Sequence, residues 1–362
     1  MEQSLFSQWV DKYFKGVVIK VTEKTNDAKD NIALPYLHKR LLRPSFSVTG
    51  KWETLSGAYN RVAADVVAMD SSLPLKARDS ISKASGDIPK MGMELALNER
   101  QLTDLNTLVK SGASDKVILQ RLFEDTPKAI VGINERIEAM FLQGLSTGVT
   151  LVNNANNVGT GVRLDFGYLT ANKFGVTTLW SNTASTPFDD IQRVINKATA
   201  DGNIISRVLL DSATLNNIAK TTQAKELFAF NIGFVGSNTP VPSLEQLNQL
   251  TSSRYGFVFE KVDRTIKIEK DGVRTNVKPW AVGAVAFVCS DNIGNIEWAE
   301  LAEMAFPVAG VSYETADQFI LVSKYRRNTP SLSEYTSSQA RVAPVISGVE
   351  EIYLLDSTTI QV

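Results

Sequence analysis

The chain of 362 residues contains one cysteine and one histidine, and these two shortages exclude several classes of protein. A single cysteine cannot form a disulfide within the chain or a cysteine-rich zinc site. Cys289 ends the apolar run 281–289, which would raise the pKa of its thiol, so we interpret it as a small buried side chain. Most acid–base, Ser–His and Cys–His mechanisms need a histidine whose pKa is near neutral. The one candidate, His38, lies between Pro35 and two cations, and we interpret it as a packing or surface histidine.

Long apolar segments and an excess of one charge are also missing. No stretch approaches about 18 uninterrupted apolar residues, so the sequence predicts no transmembrane helix. Residues 1–10 are polar and acidic, so we expect no signal peptide. The chain has 38 Lys and Arg against 39 Asp and Glu. This balance excludes a basic nucleic-acid coat, because neutralising phosphates needs a cationic surplus. We therefore expect a soluble protein that is made in the cytosol and kept reduced.

Motifs for cofactors, metals and phosphates do not occur in the sequence. It has no paired Cys spacing, no two-His helix motif and no calcium-binding loop. Gly159 and Gly161 lack the further residues of a dinucleotide or phosphate loop, so we interpret them as part of a polar turn. The pairs Asp189-Asp190 and Glu124-Asp125 adjoin helical patterns and are typical of charged helix ends. The sequence thus predicts no cofactor and no metal, and a hydrolase that uses only carboxylates remains an alternative.

The strongest positive signal is helical and covers residues 98–147. Thr126 followed by Pro127 is typical of an N-cap with proline at the first helical position. Gly144 and Gly148 flank the end of the pattern. Apolar residues at spacings of three and four predict one buried stripe: Ile130, Ile133, Ile137, Met140, Phe141 and Leu145. The spacing predicts a helix over 127–145, about 19 residues and about 28 Å long.

Shorter strands and helices are predicted for the rest of the chain. Residues 186–190 are typical of a helix start, and 211–212 of a helix cap. A polar loop is predicted at 233–254, with a short helix at 243–250. The segments 255–261 and 264–270 are predicted to form a hairpin with an Asp-Gly turn. Further strands are predicted at 16–22, 148–152, 177–180, 207–210 and 281–289, and the segments 297–306, 318–324 and 352–355 close the arrangement. These elements predict an α+β protein with mainly antiparallel pairing.

Two N-terminal segments indicate contacts with another subunit. Residues 1–50 have too few apolar residues for a core of their own, so we expect an arm that lies on something else. Residues 51–97 are predicted to form a long exposed hairpin, which is unusual in a compact monomer. Long excursions are usually functional or ordered by a partner. The candidate contact residues are the four cations between 71 and 92: Lys76, Arg78, Lys83 and Lys90.

The order of these elements resembles that of a known family. The matching features are the end of the long helix at 144–149, Asp165-Phe166-Gly167, Trp180, Asp189-Asp190-Ile191, the polar hairpin before 280–295, and the stretch 314–347. Together they resemble the major capsid protein of tailed bacteriophages, which has the HK-ninety-seven-type fold, and especially the lambda-like capsid protein E family. The resemblance covers roughly residues 45–355 and rests on order and spacing rather than on any single motif.

The resemblance implies five subdomains in this α+β chain. They are an N-terminal arm at 1–50, an extended loop at 51–97, a spine helix region at 98–147, a peripheral domain at 148–187 and 310–362, and an axial domain at 188–309. The loop 233–254 would then point to a five- or six-fold axis. Some relatives cross-link Lys to Asn between subunits, and Lys76, Lys83 and Lys90 are candidates for such a link, although a solvated cation is the more ordinary interpretation.

The resemblance also implies a function and partners. The chain would assemble with itself through hexamers and pentamers into an icosahedral head shell, in the host cytoplasm, around double-stranded DNA that is bound without sequence specificity. Because no long helix is predicted before residue 30, a separate scaffolding protein is implied, together with a portal protein and a decoration protein. Neither an enzymatic activity nor a membrane is implied. The alternatives are an encapsulin-like nanocompartment shell of the same fold, another virion part such as a tail or connector protein, and the carboxylate-dependent enzyme.

Overall fold

The computed structural model describes most of the chain. The described residues are 1–26, 36–57, 81–153, 157, 159, 161–234, 236, 239–329 and 331–361, and the side chains of 55–57 and 81–83 are not described. The helices are α1 Ser7–Asn26, α2 Leu37–Leu41, α3 Glu99–Lys110, α4 Asp115–Leu122, α5 Asp125–Thr147, α6 Pro187–Ala200, α7 Ser212–Lys220, α8 Thr222–Asn231, α9 Leu244–Tyr255 and α10 Ala302–Ala305.

The strands of the described chain form two larger sheets and three two-stranded pairs. They are β1 Leu42–Phe46, β2 Lys51–Gly57, β3 Ile81–Asp87, β4 Lys90–Leu97, β5 Val149–Val152, β6 Val162–Asp165, β7 Lys173–Val176, β8 Arg207–Leu210, β9 Val258–Lys261, β10 Ile266–Lys270, β11 Val273–Val277, β12 Ala284–Val288, β13 Gly294–Ala299, β14 Ser312–Ala316, β15 Ile320–Arg327, β16 Ser333–Ile346 and β17 Ile352–Ile360. Short pairs join β2 to β3, β5 to β6 and β10 to β11.

The chain divides into two compact units. Unit 1 comprises the described parts of 1–52, 86–139 and 295–344, and unit 2 those of 53–85, 140–294 and 345–362. Unit 1 is built on the sheet β1-β13-β16-β15-β14, in which β4 also pairs with β16. One face of this sheet packs against α5, where the Ser338 hydroxyl donates a 2.8 Å hydrogen bond to the carbonyl oxygen of Ala129.

A fully buried lysine lies in the core of unit 1. Lys324 of β15 donates hydrogen bonds of 2.9 Å to the Leu122 carbonyl oxygen, at the end of α4, and 3.0 Å to the Thr336 hydroxyl. Its ammonium also lies 5.5 Å from the centre of the Phe123 ring. Burial lowers the pKa of Lys324 to about 8, although the charge of Glu334 acts in the opposite direction. Lys324 therefore fixes the junction of α4 and α5 at the cost of burying an ammonium group.

Unit 2 is built on the five-stranded sheet β7-β17-β12-β8-β9. Every residue of the central strand β12 is buried, as the apolar run 281–289 predicts. Helix α6 packs its Ile191, Val194 and Ala198 into the same core, which confirms the helix predicted from Thr186 and Pro187. The Asp211 carboxylate accepts a 2.8 Å hydrogen bond from the Thr214 N–H, which confirms the predicted cap of α7.

Two predictions for the first 150 residues are wrong. The strand at 16–22 is part of α1, because Val10, Phe14 and Val18 recur every four residues and form one buried face. The premise that no long helix precedes residue 30 fails with it, and so does the argument for a separate scaffolding protein that rested on it. The long helix begins at Asp125, two residues before the predicted start, so Thr126 is a buried residue of the first turn and not a cap. Its predicted apolar stripe is confirmed as buried.

Three predictions for the later chain are also wrong. Residues 177–180 are not a strand, since the sheet strand there is β7 and ends at Val176. The Asp271-Gly272 turn joins β10 to β11, whereas β9 pairs in parallel with β8 and forms no hairpin. Helix α9 extends to Tyr255, five residues beyond the helix predicted inside the loop 233–254. The mixed α+β class and the predominance of antiparallel pairs are confirmed. Among the described strands, β7 pairs in parallel with β17, and β8 with β9.

Candidate assembly surface

The four candidate contact cations fall on a segment that is described only in part. Lys76 and Arg78 lie outside the described residues. Lys83 lies in β3, but its side chain is outside the description. Lys90 is the first residue of β4 and is exposed, opposite Arg341 in the antiparallel register with β16. Of the four, the structure therefore places the side chain of Lys90 alone.

The root of the predicted extended loop is held by Arg341. Its Nη2 donates a 3.1 Å hydrogen bond to the carbonyl oxygen of Gly50, which precedes β2. Its Nε donates a 3.3 Å hydrogen bond to the carbonyl oxygen of Ile88, which follows β3. The Ile88 N–H in turn donates to the Gly50 carbonyl oxygen at 3.0 Å. The guanidinium of Arg341 thus bonds to both ends of the 51–87 excursion: to Gly50, which precedes it, and to Ile88, which follows it.

Gly50 is required at this root for two reasons. Its φ of +68° lies in the left-handed region, where side chains are strained. The guanidinium of Arg341 also occupies the space that a Cβ at this position would need. Sequence analysis missed this site because Arg341 is 291 residues from Gly50. The local signal, a glycine before an alternating segment, predicts a turn but gives no information about its partner.

An aromatic and charged cluster lies on the sheet of unit 1. The rings of Tyr325 and Tyr335 stack with centroids 5.6 Å apart, and the guanidinium of Arg327 lies 5.2 and 4.7 Å from their centres. Glu94 of β4 pairs with Arg327 at 3.0 Å and accepts a hydrogen bond from the Tyr325 hydroxyl. Burial, together with this bond, raises the pKa of Tyr325 above its ordinary range. Glu94 and Arg327 each keep more than a third of their side chain exposed, so the cluster can contact another molecule.

Three apolar side chains of unit 2 are exposed at the end of α8. They are Phe230, which is 87% exposed, Ile232 and Phe234. Phe230 and Ile232 precede the predicted polar loop 233–254, and Phe234 lies at its start. Phe228, on the preceding turn, is buried and anchors α8. Exposed apolar side chains that lie close together are typical of interaction surfaces rather than of isolated monomers.

Comparison with known proteins shows the family to which the chain belongs. A family model described as phage major capsid protein E matches residues 49–298, more than two thirds of the chain. The chain belongs to this capsid protein family. No curated protein matches it. The fold is similar to that of a chain described as a candidate capsid protein of a prophage of E. coli CFT073, with a TM-score of 0.58 and 10% identity over 94% of this chain and 98% of that one. It is also similar to a phage-related protein of Bordetella bronchiseptica RB50, with a TM-score of 0.51 and 12% identity over 95% and 98%.

This family membership identifies the chain as a phage major capsid protein, a structural component of the virion shell that has no enzymatic role. The predicted resemblance and its function are confirmed. The match to a phage capsid family also decides against the carboxylate-dependent enzyme, the tail or connector protein and the nanocompartment shell. In the described part of the capsid protein, no cluster of three His, Cys, Asp or Glu could hold a metal. No described helix could span a bilayer.

His38 of the capsid protein is a core residue. It is fully buried, and its Nδ1 lies 2.6 Å from Oε2 of Glu138. The Glu138 carboxylate also accepts 3.0 Å hydrogen bonds from the backbone N–H groups of Leu37 and His38. Burial alone would raise the pKa of Glu138, but the hydrogen bonds and charge of His38 outweigh it and hold the pKa below its usual range. The pair therefore fixes α2 against α5, which confirms the packing interpretation of His38.

Cys289 of the capsid protein is half-buried at the end of β12. Burial, assisted by the charge of Glu351, raises the pKa of its thiol to about 12. A thiol with such a pKa is protonated at neutral pH and is a poor nucleophile. The predicted rise in the pKa of the Cys289 thiol is confirmed, whereas its side chain is less completely buried than predicted.

Proposed function

We propose that this capsid protein assembles through hexamers and pentamers into an icosahedral head shell around double-stranded DNA. The observation that carries the proposal is the root at Arg341, which fixes a long excursion at its base. Such an excursion suits a contact with a neighbouring copy, because long excursions from a compact fold are usually functional or ordered by a partner. A closed shell needs one chain to make contacts that close into rings and rings that tile. Its near-neutral charge supports enclosing DNA without tight binding.

We propose the following subdomain roles within this shell. Residues 51–97 act as the extended loop that reaches a neighbouring subunit, and 98–147 as the spine helix region. The predicted axial domain, 188–309, falls largely within unit 2, whose exposed Phe230, Ile232 and Phe234 support a contact between copies near the symmetry axis. The arm at 1–50 and the peripheral domain at 148–187 and 310–362 complete the assignment. Partners of the shell would be a portal protein and a decoration protein.

The extended loop makes its contact through cations in this proposal. Lys76, Arg78, Lys83 and Lys90 would face carboxylates of the adjacent subunit, with opposite charges favouring correct docking and excluding wrong partners. The exposure of Lys90 on β4 supports this role. Covalent linkage of Lys76, Lys83 or Lys90 to an asparagine would be visible as a chain ladder in denaturing gels of mature particles.

A charge reversal tests the proposed loop contact. The double variant Lys76→Glu and Arg78→Glu is expected to block shell assembly and to leave folded, unassembled subunits. The double variant Lys110→Glu and Lys116→Glu makes the same change in net charge on exposed positions of α3 and α4, outside the arm and the loop, and serves as the control. Electron microscopy scores particles, and circular dichroism confirms folding. Normal shells from the loop variant would contradict the proposed contact through the loop cations.

A further inference from the structure

The five-stranded sheet of unit 2 has two edges. In the described chain its order is β7-β17-β12-β8-β9, so β7 and β9 each have a neighbour on one side only. The free side of an edge strand presents unpaired N–H and C=O groups, on which a strand of another molecule can add. In a protein that assembles in many copies, such strand addition would give β-sheet aggregates in place of shells.

The edge of β9 is occupied by a side chain. Val258 donates its N–H to the carbonyl oxygen of Ser206 at 3.2 Å, towards β8. Phe259, the next residue, turns its backbone groups to the free side because successive residues alternate. There the side-chain amide of Asn248, on α9, accepts a 2.6 Å hydrogen bond from the Phe259 N–H and donates a 3.0 Å bond to the Phe259 carbonyl oxygen. Asn248 thus makes the pair of bonds that an added strand would make.

The opposite edge is held by side chains of α6. Arg193 donates a 2.5 Å hydrogen bond to the carbonyl oxygen of Gly175 in β7. Asp190, which is buried, accepts bonds of 3.1 Å from the N–H of Thr177, just beyond β7, and of 2.9 Å from the indole N–H of Trp180. Helix side chains therefore engage backbone groups at both edges of the sheet, and at β9 a single residue makes both bonds.

We propose that Asn248 determines the specificity of assembly, by closing the β9 edge against strands of other copies. Strand addition between the β9 edge of one copy and the β7 edge of the next is a head-to-tail contact, which gives open polymers unless its rotation closes a ring, whereas shell contacts close. The side-chain amide of Asn248 is engaged within its own chain. It makes strand addition compete with two intramolecular hydrogen bonds that are already formed. The inference rests on the capsid function alone and does not depend on which loop or residues join the subunits.

Asn248→Ala tests this inference, because alanine removes both bonds and favours the helix more than asparagine does. We expect the variant to keep the circular dichroism spectrum of the wild type. We expect it to lose protection of the Phe259 amide in hydrogen exchange. We also expect several-fold more light scattering and thioflavin fluorescence, and an infrared band of intermolecular β-sheet. Gln249→Ala, an exposed neighbour on α9, is the matched control and should behave like the wild type.

Asn248→Ala that folds and remains as free of β-rich polymer as Gln249→Ala would overturn the inference. If Asn248→Ala does not fold, Asn248→Leu takes its place. Leucine is close to asparagine in shape, makes neither bond and adds no charge at the edge, so it should polymerise more than the wild type. Its failure to do so would equally overturn the inference. Failure of the proposed hexamers and pentamers would appear instead as wild-type protein without shells, which neither variant measures.

Discussion

The guanidinium of Arg341 and the carbonyl oxygen of Gly50 are joined by a 3.1 Å hydrogen bond at the root of the 51–87 excursion. The same side chain reaches Ile88 on the returning strand. A planar guanidinium can serve two acceptors at once, which an ammonium group does less well. The excursion therefore starts from a fixed base, and the position of its base relative to the sheet of unit 1 does not depend on the loop itself.

Replacement of Arg341 tests this base. Arg341→Ala should lower the free energy of unfolding by about 1–3 kcal/mol, because two backbone carbonyl oxygens lose a charged donor. It should also speed exchange of the Ile88 amide, whose bond to Gly50 depends on the same geometry. Urea denaturation and hydrogen exchange measure the two effects. Arg274→Ala removes an exposed arginine that pairs with Glu269 on a surface hairpin, and should lower the stability far less. Equal losses in both variants would contradict the role of Arg341.

Gly50 gives an independent test with a close control. Gly50→Ala and Gly112→Ala both place a Cβ on a residue with a positive φ, +68° and +74°, so both incur the backbone strain of about 1–2 kcal/mol. Only at Gly50 does the Cβ also displace Arg341, since nothing lies within 4 Å of the site at Gly112. The loss of stability in urea should therefore be clearly larger for Gly50→Ala. Equal losses would show that Arg341 moves aside freely and does not fix the root.

Lys324 predicts a pH dependence with a definite sign. Its pKa in the folded protein is about 8, below its ordinary value, so from about pH 8 to about pH 10 the unfolded chain binds the proton and the folded chain does not. The contribution of Lys324 to stability must therefore rise with pH over this range, by at most about 1.4 kcal/mol per pH unit, and stay constant below it. Lys324→Met lacks this contribution. The unfolding free energy of the wild type minus that of the variant should therefore increase from pH 8 to pH 10.

Urea melts of both proteins at a series of pH values measure that difference. Comparison with the variant cancels the titration of other groups, such as tyrosines, that is common to both. Lys116→Met, at an exposed position of α4, is the control for the loss of a lysine charge. Parallel curves for wild type and Lys324→Met would show that the lysine remains charged in the folded protein.

Local signals account for the parts of the fold that could be predicted from the sequence. The start of α6 follows from Thr186 and Pro187, and that of α7 from Asp211, because a cap acts on residues within one turn. The stripe of α5 follows from spacing alone. The run from Gly16 to Thr22 misled the prediction, since its β-branched residues favour a strand, whereas tertiary packing of Val18 with Val10 and Phe14 decides for a helix.

The remaining features depend on contacts between residues distant in sequence. The partner of β9 is β8, some 50 residues earlier, and no local pattern specifies a parallel pair. The bonds from Arg341 to Gly50 and from Glu138 to His38 likewise join residues that become neighbours only in the folded chain. Lysine is seldom buried, so no pattern in the sequence indicates that Lys324 lies in the core. The family, which rests on the order of elements along the whole chain, was predictable when its individual contacts were not.

Negative-stain electron microscopy tests the central claim most directly. The purified chain is imaged alone and after co-expression with a small helical protein encoded beside it. The account predicts icosahedral shells, or discrete hexamers and pentamers, in at least one of the two samples. A monodisperse monomer in both samples would contradict it.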